Sequence, residues 1–184
     1  MPKKPEVIVF AGPNGSGKST ITKLAKVIEP YINADDIKRS THCTDLEAAQ
    51  RAEHLRLEAI EQRVSFTFET VLSTERNLHL LEQAKAQGYF IRCVYVLTCN
   101  PKINVARVKS RVLSGGHDVP REKIESRYGK ALALVPRLVE VCDICHIYDN
   151  SDEPVRIFKK RKDEMFFWPN ELWPEAEIQK LVGQ

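Results

Sequence analysis

Nine consecutive residues, Gly12-Pro13-Asn14-Gly15-Ser16-Gly17-Lys18-Ser19-Thr20, contain the pattern GxxxxGK[ST]. They fall between a β-branched run, Val7 to Ala11, and a stretch with helical periodicity, which is the setting that gives the pattern mechanical meaning. Glycines in such a loop let successive backbone N–H groups converge on phosphate oxygens at the positive end of a helix dipole. Residues Gly12 to Thr20 are therefore expected to hold ATP or GTP, with Lys18 reaching the β- and γ-phosphates and the Ser19 hydroxyl ligating Mg²⁺. The chemistry expected is transfer of the γ-phosphoryl group to a small molecule.

Such a transfer needs a base for the acceptor hydroxyl, an acceptor pocket, cations for the moving phosphoryl group and closure against water. Asp35 follows the short strand Tyr31-Ile32-Asn33, whose carboxyl end lies beside the phosphate loop in an open α/β sheet. Its carboxylate is the candidate base. Asp36 competes for that role, and either residue can instead cap the following helix. Glu69 and Thr70, at the end of the alternating run VSFTFE, are candidate acceptor contacts; Glu69 can also act as an indirect Mg²⁺ partner or a structural hydrogen bonder. Arg107 and Arg111 are four apart, on one helix face, ahead of the Gly115-Gly116 hinge, His117 and the later Arg127. A lid of this composition can bring Arg111 and Arg127 onto the phosphates when it closes, as an arginine finger in cis does. Arg107 and His117 are expected near the acceptor, against the alternatives of surface charge for the arginines and lid bracing for His117.

The elements that must position these groups are legible as short β-branched or aromatic runs alternating with helical stretches. Strands are expected at Val7 to Ala11, Tyr31 to Asn33, Val64 to Glu69, Phe90 to Leu97 and Ile144 to Tyr148. A first helix starts near Lys18 and must stop before Pro30; a capping box, Thr44-Asp-Leu-Glu47, opens another; Gly88 ends a third. Ile103 to Leu113 forms a helix, and a further one runs from Pro120 toward Leu138. The tail from Pro154 to Trp168 reads as strand, charged turn, strand, with the KKRK run in the turn. The expected fold class is α/β: a three-layer sandwich over residues 1–184, one domain, with a central mostly parallel sheet of about five strands, a helical lid over about 107–128 and a C-terminal β-hairpin over about 154–168.

Composition removes several other classes. A net charge of +3 from 28 basic and 25 acidic residues is too small for general attraction to nucleic acid or membrane surfaces. No run approaches the roughly 18 apolar residues of a membrane helix, and the N-terminal apolar run is too short for an export signal. A cytosolic protein with reduced thiols is expected, so the five cysteines are read as core residues. That reading covers Cys142-Asp-Ile-Cys145-His146, although the spacing also matches haem attachment or a redox CxxC.

Leu113-Ser114-Gly115-Gly116 resembles the signature of ABC ATPases, but Asp152-Glu153 comes too late, 39 positions after Leu113, and follows a polar stretch. No NKxD-like motif supports a GTPase. The motifs AGPNGSGKST, YINADDI, FTFETVLS, RVLSGGHDVPREKIESRY and YDNS together resemble the zeta-toxin-like P-loop kinases, specifically their short bacterial branch. The resemblance implies phosphorylation of a sugar hydroxyl of UDP-N-acetylglucosamine or a related nucleotide sugar, and an antitoxin as partner. It also implies Asp35 as base, Lys18 and Ser19 as nucleotide and metal residues, Arg111 and Arg127 as lid arginines, and Asn150 near the nucleotide base. Other acceptors (a nucleoside, an NAD-like molecule, a polynucleotide end) and a non-catalytic ATP-binding module remain as alternatives.

Overall fold

The computed structural model describes residues 4–116 and 118–184. Strand β1 (Glu6–Ala11) lies at the centre of a seven-stranded sheet, flanked by β3 (Phe66–Thr70) and β4 (Phe90–Leu97). Beyond β3 lies β2 (Tyr31–Ile32); beyond β4 come β5 (Ile144–Asp149), β6 (Val155–Arg161) and β7 (Glu164–Phe167). The five strands read from the sequence run parallel, and the tail adds β6 and β7 antiparallel to the same sheet. The α/β class with a mostly parallel sheet is borne out.

Alternation along the strands separates the two faces. Val7, Val9, Phe66, Phe68, Ile91, Cys93, Tyr95 and Ile147 turn one way. They pack against α3 (Asp45–Glu61), α4 (Arg76–Ala86), α7 (Val135–Val141) and α8 (Glu175–Val182), through residues such as Ile60, Leu78, Leu138 and Ile178. The remaining helices are α1 (Lys18–Leu24), α2 (Ala34–Thr41), α5 (Pro101–Leu113) and α6 (Arg121–Ala133). Val105 and Val108 of α5 meet Ile124 of α6 in a small apolar cluster separate from the main core.

Two expectations change, and one helix adds to them. The helix expected from Pro120 toward Leu138 is two, broken at Leu134, because Pro136 cannot continue the hydrogen-bond ladder and instead serves the first turn of α7. The KKRK run is not the hairpin turn: Lys159 to Arg161 complete β6, and only Lys162 lies in the turn. Helix α8 went unread, although Pro174 followed by Ile178, Leu181 and Val182 is a legible start and apolar stripe. The capping box of α3 is formed in full, with the Thr44 backbone N–H donating to Glu47 Oε2 at 2.8 Å and the Glu47 N–H to Thr44 Oγ1 at 3.3 Å.

Candidate active site

The phosphate loop leaves the carboxyl end of β1 at the position where neighbouring strands β3 and β4 lead to opposite sides of the sheet, the usual ligand crevice of an open α/β fold. At its glycines the backbone is packed too closely to admit a side chain. A Cβ on Gly12 would lie 1.9 Å from the Val96 carbonyl oxygen, and one on Gly17 would lie 2.1 Å from Asn150 Nδ2; both residues have positive φ. Only glycine fits at these two positions, so the loop keeps its path. Ser16 Oγ is fully buried and has no hydrogen-bond partner among the described residues.

Lys18 begins α1, and its ammonium donates to the carbonyls of Gly12 at 2.7 Å and Pro13 at 3.0 Å. Burial lowers its pKa from the ordinary lysine value, while the Glu69 and Asp35 carboxylates raise it again and the Arg111 guanidinium lowers it further. These groups therefore share one electrostatic site. Ser19, Asp35, Asp36, Glu69, Arg111, Gly115 and Gly116 all line a cavity of about 1050 Å³ beside the loop, which also takes in Lys23, Tyr31, Lys38 and Arg39. Thr20 is exposed on α1. The Ser19 hydroxyl and the carboxylates that line the same cavity are hard oxygen donors of the kind Mg²⁺ takes, and a glycine loop leading into the start of α1 is the setting in which backbone N–H groups hold phosphate.

Asp35 is not a helix cap. That place belongs to Asn33, whose side chain accepts from the Asp35 N–H at 2.9 Å, which leaves the Asp35 carboxylate in the first turn of α2 and facing the cavity. Asp36 is also uncommitted to the cap, but its carboxylate forms an ion pair with Arg39. The two candidates are thus told apart by their partners. Glu69 accepts from the Tyr31 hydroxyl at 3.1 Å, and Asn33 Nδ2 approaches the same hydroxyl at 3.5 Å. Burial raises the pKa of the Tyr31 phenol, and the neighbouring Glu69 carboxylate raises it further, so Tyr31 stays a donor throughout the physiological range.

Several sequence-selected residues turn out to support the loop rather than line the cavity. Thr70 gives its carbonyl to the Gly12 N–H at 3.2 Å, and its hydroxyl oxygen accepts from Asn77 Nδ2 at 2.8 Å. Asn77 in turn accepts from the buried Arg56 guanidinium at 2.8 Å, which stacks 4.5 Å from the Phe68 ring centroid. Asn150 donates from Nδ2 to the Ser16 carbonyl, and Arg107 donates to the carbonyls of Asn150 at 2.6 Å and Ser151 at 3.0 Å. Arg127 reaches the loop from α6, its guanidinium 3.5 Å from Asn14 Oδ1. His117 lies outside the described residues.

Sequence reasoning missed Asn104 and Arg56. Asn104, fully buried on α5, donates to the Asn14 carbonyl at 2.7 Å and its amide oxygen accepts from Thr98. A polar side chain at an apolar-periodic helix position was the available signal, since buried amides demand partners. Arg56 offered the same signal on α3.

Comparisons with known proteins identify the family and the fold. A protein-family model described as zeta toxin matches residues 1–170. An uncharacterized protein of Haemophilus influenzae is 31% identical over 129 residues, 67% of this chain and 92% of that one. Among solved structures, that from the PezAT toxin–antitoxin system of Streptococcus pneumoniae superposes with a TM-score of 0.65 at 16% identity, over 99% of this chain and 89% of that chain. The AvrRxo1-ORF1:-ORF2 complex with ATP gives 0.74 at 16%, over 98% of this chain and 64% of that chain, so this chain spans less than two thirds of its length. At those identities the superpositions show the shared α/β fold, and the family is carried by the sequence match over residues 1–170, which includes the phosphate loop, Asp35, Glu69 and Arg111. The chain belongs to the zeta-toxin family of P-loop kinases.

Proposed function

We propose that this protein is an ATP- and Mg²⁺-dependent kinase that phosphorylates a hydroxyl of UDP-N-acetylglucosamine or a related nucleotide sugar, as the toxin of a toxin–antitoxin pair. The observation that carries this reading is a single cavity lined by Ser19, Asp35, Glu69 and Arg111, whose charged groups act on the buried Lys18 ammonium. Residues Gly12 to Thr20 would hold the triphosphate, with Ser19 on the metal. Bound ATP supplies the γ-phosphoryl group, and Mg²⁺ neutralises charge on its oxygens. The rest falls to the chain's own residues. Asp35, freed from capping by Asn33, takes the proton from the acceptor hydroxyl. Glu69, held by Tyr31, orients that hydroxyl. Arg111 and Arg127, on either side of the Gly115-Gly116 turn, meet the phosphates as the lid closes. The size of the cavity, and the cations Lys23, Lys38 and Arg39 along it, suit a bulky acceptor that itself carries phosphate.

The toxin assignment rests on the family and on neighbours drawn from toxin–antitoxin complexes. Purified protein incubated with ATP, Mg²⁺ and UDP-N-acetylglucosamine should yield ADP and a phosphorylated nucleotide sugar by mass spectrometry. Asp35→Asn should abolish transfer and leave ATP affinity intact. Absence of product from the wild type removes this acceptor, and the same readout on a metabolite extract then identifies the one used; an Asp35→Asn enzyme at the wild-type rate removes the base.

A further inference from the structure

We propose that Cys93, Cys142 and Cys145 form a binding site for a thiophilic metal ion with a filled d shell, Zn(II) in the first instance. Three separate segments bring the thiols together. Cys93 on β4 and Cys145 on β5 are register partners on adjacent parallel strands, and Cys142 caps the C-terminus of α7 just before β5 begins. All three sulfurs lie within 4.8 Å of one another. A metal bound to three thiolates at about 2.3 Å sets its sulfurs about 4 Å apart, so only small side-chain adjustments are needed. The backbone positions are fixed by the strand ladder whether or not an ion is present.

The surroundings select the ion. Each thiol is free and buried, with 0%, 2% and 0% of its residue's surface exposed for Cys93, Cys142 and Cys145. His146, next in sequence to Cys145, turns to the opposite face by strand alternation and lies 6.3 Å from the Tyr148 ring, so the cluster is sulfur only. Sulfur-only sites favour soft or borderline cations over Mg²⁺ or Ca²⁺. Binding replaces three S–H bonds by three metal–sulfur bonds and releases three protons. A divalent ion then leaves one net negative charge in the core, which must be balanced. Lys160, opposite Cys145 in the β5–β6 register, places its ammonium there, held by the carbonyls of Val139 at 2.7 Å and Glu140 at 3.1 Å. A monovalent ion would leave two negative charges against one lysine. Tyr95, two residues beyond Cys93 on the same face, adds a buried hydroxyl that has no hydrogen-bond partner among the described residues. The site sits mid-sheet, away from the phosphate loop, and is independent of the kinase reading.

The test uses full-length protein, reduced and stripped with chelator. Titration with Co(II) should give a sulfur-to-metal charge-transfer band that saturates at one equivalent and is displaced by Zn(II). Zn(II) should also raise the melting temperature. Cys93→Ala and Cys145→Ala should weaken Zn(II), measured by competition with a chromophoric chelator, by on the order of a hundredfold. Cys43→Ala and Cys99→Ala should leave it unchanged. If the core variants do not fold, cadmium NMR of the wild type counts the bound sulfurs. Binding of Cu(I) with no divalent ion would retain the site and change its ion. No charge-transfer band and no Cu(I) binding in folded wild type, an affinity indifferent to Cys93→Ala, or a cadmium shift showing fewer than three sulfurs would each overturn the proposal.

Discussion

Asn150 donates its side-chain N–H to the carbonyl oxygen of Ser16 at 2.7 Å, joining residues 134 positions apart and pinning the phosphate loop from beneath. The contact is tight enough that Gly17 has no room for a Cβ, which would lie 2.1 Å from the same amide nitrogen. The shape of the nucleotide site therefore depends on the loop after β5 as much as on its own glycines.

Asn150→Ala removes the side-chain donor to the buried Ser16 carbonyl, and a lost buried partner costs about 1–3 kcal/mol. Urea denaturation should show that loss, and nucleotide affinity should fall with it. Asn150→Asp should be worse, because a carboxylate would face the Ser16 carbonyl oxygen. An Asn150→Ala protein with wild-type stability and affinity would show that the loop holds its shape unaided.

Arg107 separates a brace from a substrate contact. Its guanidinium bonds two carbonyls, those of Asn150 and Ser151, and lysine cannot span both with the same fork. Arg107→Lys should lower the urea midpoint, by about 1–2 kcal/mol in stability, and raise the KM for ATP. A fall in kcat with stability unchanged would instead put Arg107 on the reacting groups.

Gly116 lies against Arg111, the arginine proposed to meet the phosphates. A Cβ there would come 2.5 Å from Arg111 Cγ and 2.9 Å from the Arg111 carbonyl oxygen. Gly116→Ala must therefore shift the side chain or the turn, and a displaced arginine finger costs orders of magnitude in rate. The expected outcome is a drop in kcat of at least about tenfold with ATP affinity nearly unchanged. Gly88→Ala, with nothing within 4 Å of its Cβ but a positive φ, serves as a control for strain remote from the site.

Acid should destabilise the protein through His146. Burial, reinforced by the Arg156, Lys159 and Arg92 cations, lowers its pKa from 6.5 to about 4. The unfolded chain thus takes up this proton at a higher pH than the folded one, so stability falls as pH drops from 6.5 toward 4 and levels off below. The imidazole is only half-buried, so the loss is about 1–2 kcal/mol after solvent screening. Denaturant melts at pH 7 and pH 5 should converge for His146→Gln relative to wild type. An undiminished difference would assign the pH dependence to other groups.

The sequence alone determined the phosphate loop, the strand before it and the helix after it, because local geometry there follows from glycine positions and spacing. It also determined the parallel sheet, the capping box at Thr44 and the placement of Asp35 and Glu69 at strand ends, all set by short-range periodicity. Both aspartates line the cavity, and what tells them apart was decided only in three dimensions, since Asn33 took the cap and Arg39 took Asp36. The same holds for the partners of Arg107, Asn150 and Thr70: Arg107 goes to the carbonyls of Asn150 and Ser151, Asn150 to the Ser16 carbonyl, and Thr70 gives its carbonyl to the Gly12 N–H. Asn104 and Arg56 acquired their places through partners distant in sequence, Asn14 and Asn77. Side-chain type and local spacing specify what a residue can do, whereas its partner is chosen by chain segments that meet only when the sheet assembles.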